Sequence, residues 1–138
     1  MKCCEYMIKN SKNKRTTYVG LVAITIILGL VSRRIDFVPA ITGDVLYAIM
    51  VYWIFRFLFF TRPLLFSIIL ALVFCFSIEC MQLIQTPFFI YIRNNPVLRL
   101  VFGQGFLWSD LFGYIAGTCI AYLLDKNRFF KMDTSRKI

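Results

Sequence analysis

The sequence predicts an all-α integral membrane protein: a bundle of four transmembrane helices with an interfacial or re-entrant segment between the third and the fourth. Composition carries the first part of this, because 59% of the 138 residues are hydrophobic and 17% aromatic, and the mean hydropathy is +0.72, well above that of a water-soluble domain. Patterning carries the second, because the apolar residues gather into long runs separated by short polar punctuation. Length carries the third. A helix needs roughly 20 residues to cross a hydrocarbon core of ~30 Å, so the chain holds about four spans and forms a single multi-pass domain over 1–138.

The first span, 17–32 (TYVGLVAITIILGLVS), follows a basic tail over 1–16 that carries Lys2, Lys9, Lys12, Lys14 and Arg15. Arg33 and Arg34 come directly after it and no small-x-small cleavage site is present, so the segment reads as an uncleaved signal anchor. The second span covers 39–60, and Thr61-Arg62-Pro63 forms a tight turn into the third, 64–85, which Pro87 stops because proline cannot continue a helix. The fourth span covers 109–124. Its Gly113, Gly117 and Ala121 recur every four residues, a spacing at which small side chains let two helices approach closely. Between spans three and four, PFFIYIRNNPVLRLVFGQGF is too apolar for a solvated loop and too broken by Asn94-Asn95-Pro96 for a span, which fits an interfacial or re-entrant segment. Trp108 then sits at headgroup level, where tryptophan is favoured.

The basic residues set the orientation. The tail 1–16 carries five, the turn at Arg62 one, and the tail 125–138 five more, leaving Arg33, Arg34, Arg93 and Arg99 on the other side. By the positive-inside rule both termini are cytoplasmic, in the plasma (inner) membrane of a bacterium. The net charge of +9 is thereby mostly topological, and a nucleic-acid partner is disfavoured because the lysines flank spans and no nucleic-acid motif accompanies them.

The most informative stretch lies in the third span, where LALVFCFSIECMQLIQ holds Glu79 and Gln82 three positions apart, on one face of the helix. A charged side chain inside a bilayer costs roughly 2.5–3.5 kcal/mol on insertion scales, so such a residue pairs with a partner and marks a site. In the topology above, Arg33, Arg34, Asp36, Asp44, Glu79, Gln82, Gln104, Ser109 and Asp110 all fall in the extracytoplasmic half. Arg56 stands apart, near the cytoplasmic end of span two, where it can snorkel to the interface. Simpler roles exist for each: Asp44 and Asp110 suit a helix N-terminus, Ser109 suits an N-cap, and Glu79 with Gln82 suits an interhelical hydrogen bond or an ion pair with Arg33, Arg34 or Arg99.

The stretches LGLVSRR, GDVLYAIMVYWIFR, FCFSIECMQL and GQGFLWSDLFGYIAG, spread over Gly29–Asp125, resemble a bacterial membrane family of unknown function, domain-of-unknown-function family 2809. That resemblance implies a four-helix membrane topology and no established activity. More distantly, Glu79-x-x-Gln82 followed by Asp110 and a Gly-x-x-x-Gly helix is similar to the VanZ-like proteins, named for a glycopeptide-resistance protein, which implies a cell-envelope role. The chain departs from their pattern in having Tyr114 where an asparagine is usual and in lacking a clear counterpart of their arginine ahead of the aspartate.

Cys3, Cys4, Cys75, Cys80 and Cys119 show no metal-ligand or redox spacing, and histidine is absent, which removes His-dependent nucleophilic schemes and histidine metal sites. No metal or cofactor is expected. The leading functional expectation is binding of an anionic lipid or polyprenyl-phosphate headgroup at the extracytoplasmic side. In it Arg33, Arg34, Arg93 and Arg99 hold phosphate, Gln82 and Gln104 donate hydrogen bonds, Ser109 adds a hydroxyl, and Glu79, Asp44 and Asp110 position the arginines. A second expectation is an enzyme acting on a lipid-linked substrate with Glu79 and Asp110 as acid and base. A third is an assembly factor or channel subunit, with Gly113 and Gly117 at a homo-oligomer interface.

Overall fold

The computed structural model describes the backbone of residues 2–103 and 105–134 and the side chains of residues 14–99, 101–103 and 105–127. The described residues form six helices and no strand: α1 (Lys2–Ser32), α2 (Ala40–Leu58), α3 (Leu64–Leu83), α4 (Pro87–Asn94), α5 (Pro96–Phe102) and α6 (Trp108–Thr134). Three helical segments are long and apolar enough to cross a membrane, Lys14–Ser32, Ala40–Leu58 and Leu64–Leu83. They match the first three expected spans, with α1 continuing as helix through the basic tail and α3 ending before Pro87, which instead opens α4.

The expected fourth span is not among those three segments. The reason is visible in which way α6 faces. Asp110, Gly113, Tyr114, Gly117, Thr118, Ala121 and Asp125 are buried, at spacings of three and four, while Phe112, Ile115, Ile120, Leu123 and Leu124 are exposed. This inverts the usual amphipathic helix: the small and polar face is inside and the apolar face outside, so averaging along the sequence dilutes the apolar outer face.

α2 is the central element, packed against α1, α3 and α6. Its Ala48, Ile49, Val51, Tyr52 and Trp53 form the core, where Trp53 stacks on Tyr18 of α1 at 5.8 Å and meets Tyr52 edge-on at 5.2 Å. α6 crosses α2 at its glycines. A methyl group at Gly117 would overlap the Val45 carbonyl oxygen, and one at Gly113 would lie 3.1 Å from Asp44 Cβ. The small-residue face expected to bring helices together therefore does so within the chain, and α2 occupies the surface that dimerisation through Gly113 and Gly117 would need.

At the end of the bundle where α2 turns into α3, Arg56 is buried rather than snorkelling, 1% exposed. Its Nε donates to Asp125 Oδ2 at 2.8 Å and its Nη1 to the Arg62 carbonyl at 2.9 Å. Tyr52 and Tyr18 donate their hydroxyls to the two oxygens of Asp125, at 3.0 Å and 3.2 Å. One carboxylate thereby collects donors from α1 and α2 onto α6, which is the condition under which burying an ion pair is tolerable. Arg15 lies over the Phe60 ring at 4.7 Å, closing the same end.

Residues 87–102 are two short helices broken at Asn95, whose side chain accepts from the Val97 and Leu98 backbone N–H groups and so caps α5. Arg93 donates from Nη2 to the Met81 carbonyl at 2.9 Å, tying α4 to the C-terminal turn of α3.

Two expectations follow from this packing. Replacing Gly117 with Leu should destabilise the fold by roughly 1–3 kcal/mol through overpacking, whereas Gly20→Leu, where an added Cβ meets nothing within 4 Å, should be nearly neutral; thermal unfolding in detergent micelles separates the two, and equal melting temperatures would refute the close approach of α6 to α2. Asp125→Asn leaves Arg56 buried beside a neutral partner and should cost about 3–5 kcal/mol. Arg56→Met combined with Asp125→Leu should recover most of that loss in the same assay.

Candidate functional site

The opposite end of the bundle is built from the C-terminus of α1, the N-terminus of α2, the C-terminal half of α3, α5, and the N-terminus of α6. These ends enclose a cavity of about 560 Å³, within the size range of small-molecule sites. Arg33, Asp44, Gln82, Arg99 and Asp110 line it, together with Tyr47, Tyr114 and Gly103. The helix periods explain the gathering: Asp44 and Tyr47 lie three apart on α2, Asp110 and Tyr114 four apart on α6, and each pair projects from one face.

The floor of the cavity is a polar cluster with little water access. Glu79 is 1% exposed; its Oε1 accepts the Tyr114 hydroxyl at 2.5 Å and the Gln82 Nε2 at 3.4 Å. Of the roles open to Glu79, the interhelical hydrogen bond is the one realised, not an ion pair with Arg33, Arg34 or Arg99. Glu79 itself does not line the cavity; it stands one layer behind Gln82 and Tyr114, holding both. One N–H of the Gln82 carboxamide is engaged by Glu79, and its Oε1, buried without a partner among the described residues, adds an acceptor to the donor role expected of it. Gly103 presses against this carboxamide: it adopts φ +70°, a conformation glycine takes without cost, and a Cβ there would overlap Gln82 Nε2.

Above that floor, Asp44 and Asp110 face one another within hydrogen-bonding reach across the α2–α6 crossing. Ser109 does not cap α6, which begins at Trp108; its Oγ donates to Asp110 Oδ1 at 3.0 Å. Tyr47 reaches across to α5 and donates to the Val101 carbonyl at 3.2 Å. Arg33 and Arg99 are exposed at the cavity wall. Among the described residues the ion pair is Arg56–Asp125, so no carboxylate forms a salt bridge with either guanidinium, although Arg33 acts electrostatically on Asp44.

Besides Glu79, four sequence candidates stand elsewhere or outside the described residues. Arg34, Arg93 and Ser109 do not line the cavity; Arg34 is exposed, and Arg93 turns its Nη2 to the carbonyls that end α3. Gln104 lies outside the described residues. Tyr47 and Tyr114 are the wall residues that polarity alone undervalued; their helical offset from Asp44 and Asp110 was the available signal.

The hydrogen bond between Tyr114 and Glu79 joins α6 to α3. Tyr114→Phe removes the shorter of the two hydrogen bonds to the buried Glu79 carboxyl and should lower stability by about 1–3 kcal/mol, whereas Tyr114→Phe with Glu79→Leu, which removes both partners, should cost less than the two single changes summed. A double-mutant cycle read by thermal unfolding measures this, and strict additivity would mean the two side chains are not coupled.

A family model described as "Protein of unknown function (DUF2809)" matches residues 33–118, more than half of the chain and a stretch that contains the whole described cavity apart from Ser32. No solved structure matches the chain.

Proposed function

The chain belongs to this family of unknown function, and on that footing we propose that it is a small multi-pass membrane protein of the bacterial plasma membrane that binds a phosphate-bearing lipid headgroup in the cavity between the helix ends. Its four long helices, α1, α2, α3 and α6, form the membrane bundle. α6 serves as the fourth span because its outward face is apolar, and α4 and α5 lie at the interface beside the cavity mouth. The basic residues that flank the other end, Lys14, Arg15, Arg62 and Lys126 among them, favour a cytoplasmic location for it by the positive-inside rule. The cavity then opens to the extracytoplasmic side.

The observation that carries the proposal is the pairing, in one cavity, of two guanidiniums that form no salt bridge among the described residues, Arg33 and Arg99, with a set of acceptors, Gln82 Oε1, Asp44 and Asp110. Arginine forks fit phosphate oxygens. The acceptors suit hydroxyl or amine groups carried on the same headgroup. Binding is favoured over acid–base chemistry by Glu79 and Asp110, because only Asp110 reaches the cavity while Glu79 is held behind Gln82 and Tyr114. It is favoured over a role in helix association alone because the two arginines contribute to no interhelical bond among the described residues.

Charge-assisted hydrogen bonds are worth about 1.5–3 kcal/mol, so Arg33→Ala and Arg99→Ala should each weaken retention of phosphatidylglycerol by roughly tenfold or more, whereas Arg34→Ala should leave it unchanged. Native mass spectrometry of protein released from lipid discs reads this directly. Identical lipid occupancy in wild type and in the Arg33→Ala/Arg99→Ala double variant would end the headgroup proposal.

A further inference from the structure

A second cavity, of about 210 Å³, lies against the flank of the first, between α1 and α2. Its surface is almost wholly apolar, with Ile26 and Leu30 on one side and Leu46 and Met50 on the other. Thr25 also borders it, but its hydroxyl is turned back to donate to the Leu21 and Val22 carbonyls of its own helix, at 2.8 Å and 2.9 Å, and offers nothing polar to an occupant. The two cavities share four wall residues, Arg33, Gly43, Tyr47 and Val101. The polar chamber and the greasy groove thus lie side by side across a common wall, and Arg33 belongs to both.

Glycines hollow the groove. A Cβ at Gly29 would meet nothing within 4 Å, and one at Gly43 would reach only Arg33 Nε, at 4.0 Å. Along its outer border α1 exposes Ile26, Ile27 and Leu30, on a helix whose composition fits the hydrocarbon core. A water-soluble anion has no use for an apolar side exit at that depth. An amphiphile does, because a buried chain gains from every methylene removed from water while its phosphate stays on the arginines.

Resting on the headgroup reading above, we infer that the ligand is an intact membrane phospholipid taken sideways from the bilayer, with its phosphate on Arg33 and Arg99 and one hydrocarbon chain laid in the groove between α1 and α2. Tyr47, bonded to Val101 across the junction, is the partition over which the chain leaves the chamber. The groove then selects for the chain while the chamber selects for the headgroup.

The test uses the full chain in detergent with two probes, glycerol 3-phosphate and long-chain phosphatidylglycerol. Wild type should hold the lipid at least about tenfold more tightly than the soluble phosphate. Gly29→Leu, which fills the groove where the backbone has room, should abolish that advantage and leave glycerol 3-phosphate binding unchanged. A second measurement leaves the protein unaltered: phosphatidylglycerol with a diazirine in its acyl chain should, on photolysis, label residues 25–30 and 46–50. If Gly29→Leu keeps the full chain-length advantage, or labelling falls equally on the outer face of α6 at Phe112–Leu124, the groove assignment is wrong while the headgroup site stands. If neither probe binds wild type, the headgroup reading fails as well.

Discussion

At Gly117, α6 lies so close to α2 that a single methyl group would overlap the Val45 carbonyl oxygen, and this approach sets what every inward-facing side chain of either helix can reach. Toward one end of the crossing it brings Asp125 onto Arg56 and Tyr52. Toward the other it brings Asp110 opposite Asp44 and lets Tyr114 reach Glu79 on α3. Without two glycines in register, side chains would hold the helices apart, and neither polar cluster would close without water.

The two clusters obey different physics. Around Asp125 the donors are matched to the acceptors: a guanidinium and two phenols converge on one carboxylate, which is what a buried charge needs if it is to be structural. Around the cavity the matching is incomplete among the described residues, with guanidiniums at the wall that form no salt bridge and Gln82 Oε1 without a donor. A satisfied network holds helices together; an unsatisfied one beside an opening is where a ligand can supply the missing partners. The functional reading therefore rests on this end and not on the ion pair, although the ion pair is the more conspicuous of the two.

Much of the site was legible in the sequence because helical periodicity converts spacing into facing. Glu79 and Gln82, and the positions of Arg33, Asp44, Arg99 and Asp110 at helix ends, marked one end of a bundle. Arg56 was misread because a long cationic side chain near a helix end can always reach an interface on its own, and nothing local reveals a carboxylate waiting about seventy residues away on α6. The bonds of Arg93 were not legible for a related reason: its targets, the Met81 and Ile84 carbonyls, are backbone groups that carry no signature in the sequence.

The sequence by itself determined the all-helical character, three of the apolar helices, their turns, and the small-residue face of α6, because each depends on neighbours within a few residues. Tertiary structure alone decided which polar residues are partnered. It turned the polar face of α6 inward against α2, bonded Gln82 and Tyr114 to Glu79, left Arg33 and Arg99 open at the cavity, and carved the apolar groove beside them. Those outcomes are pairings between residues distant in the chain, and their energies exist only once the helices have been brought within hydrogen-bonding distance.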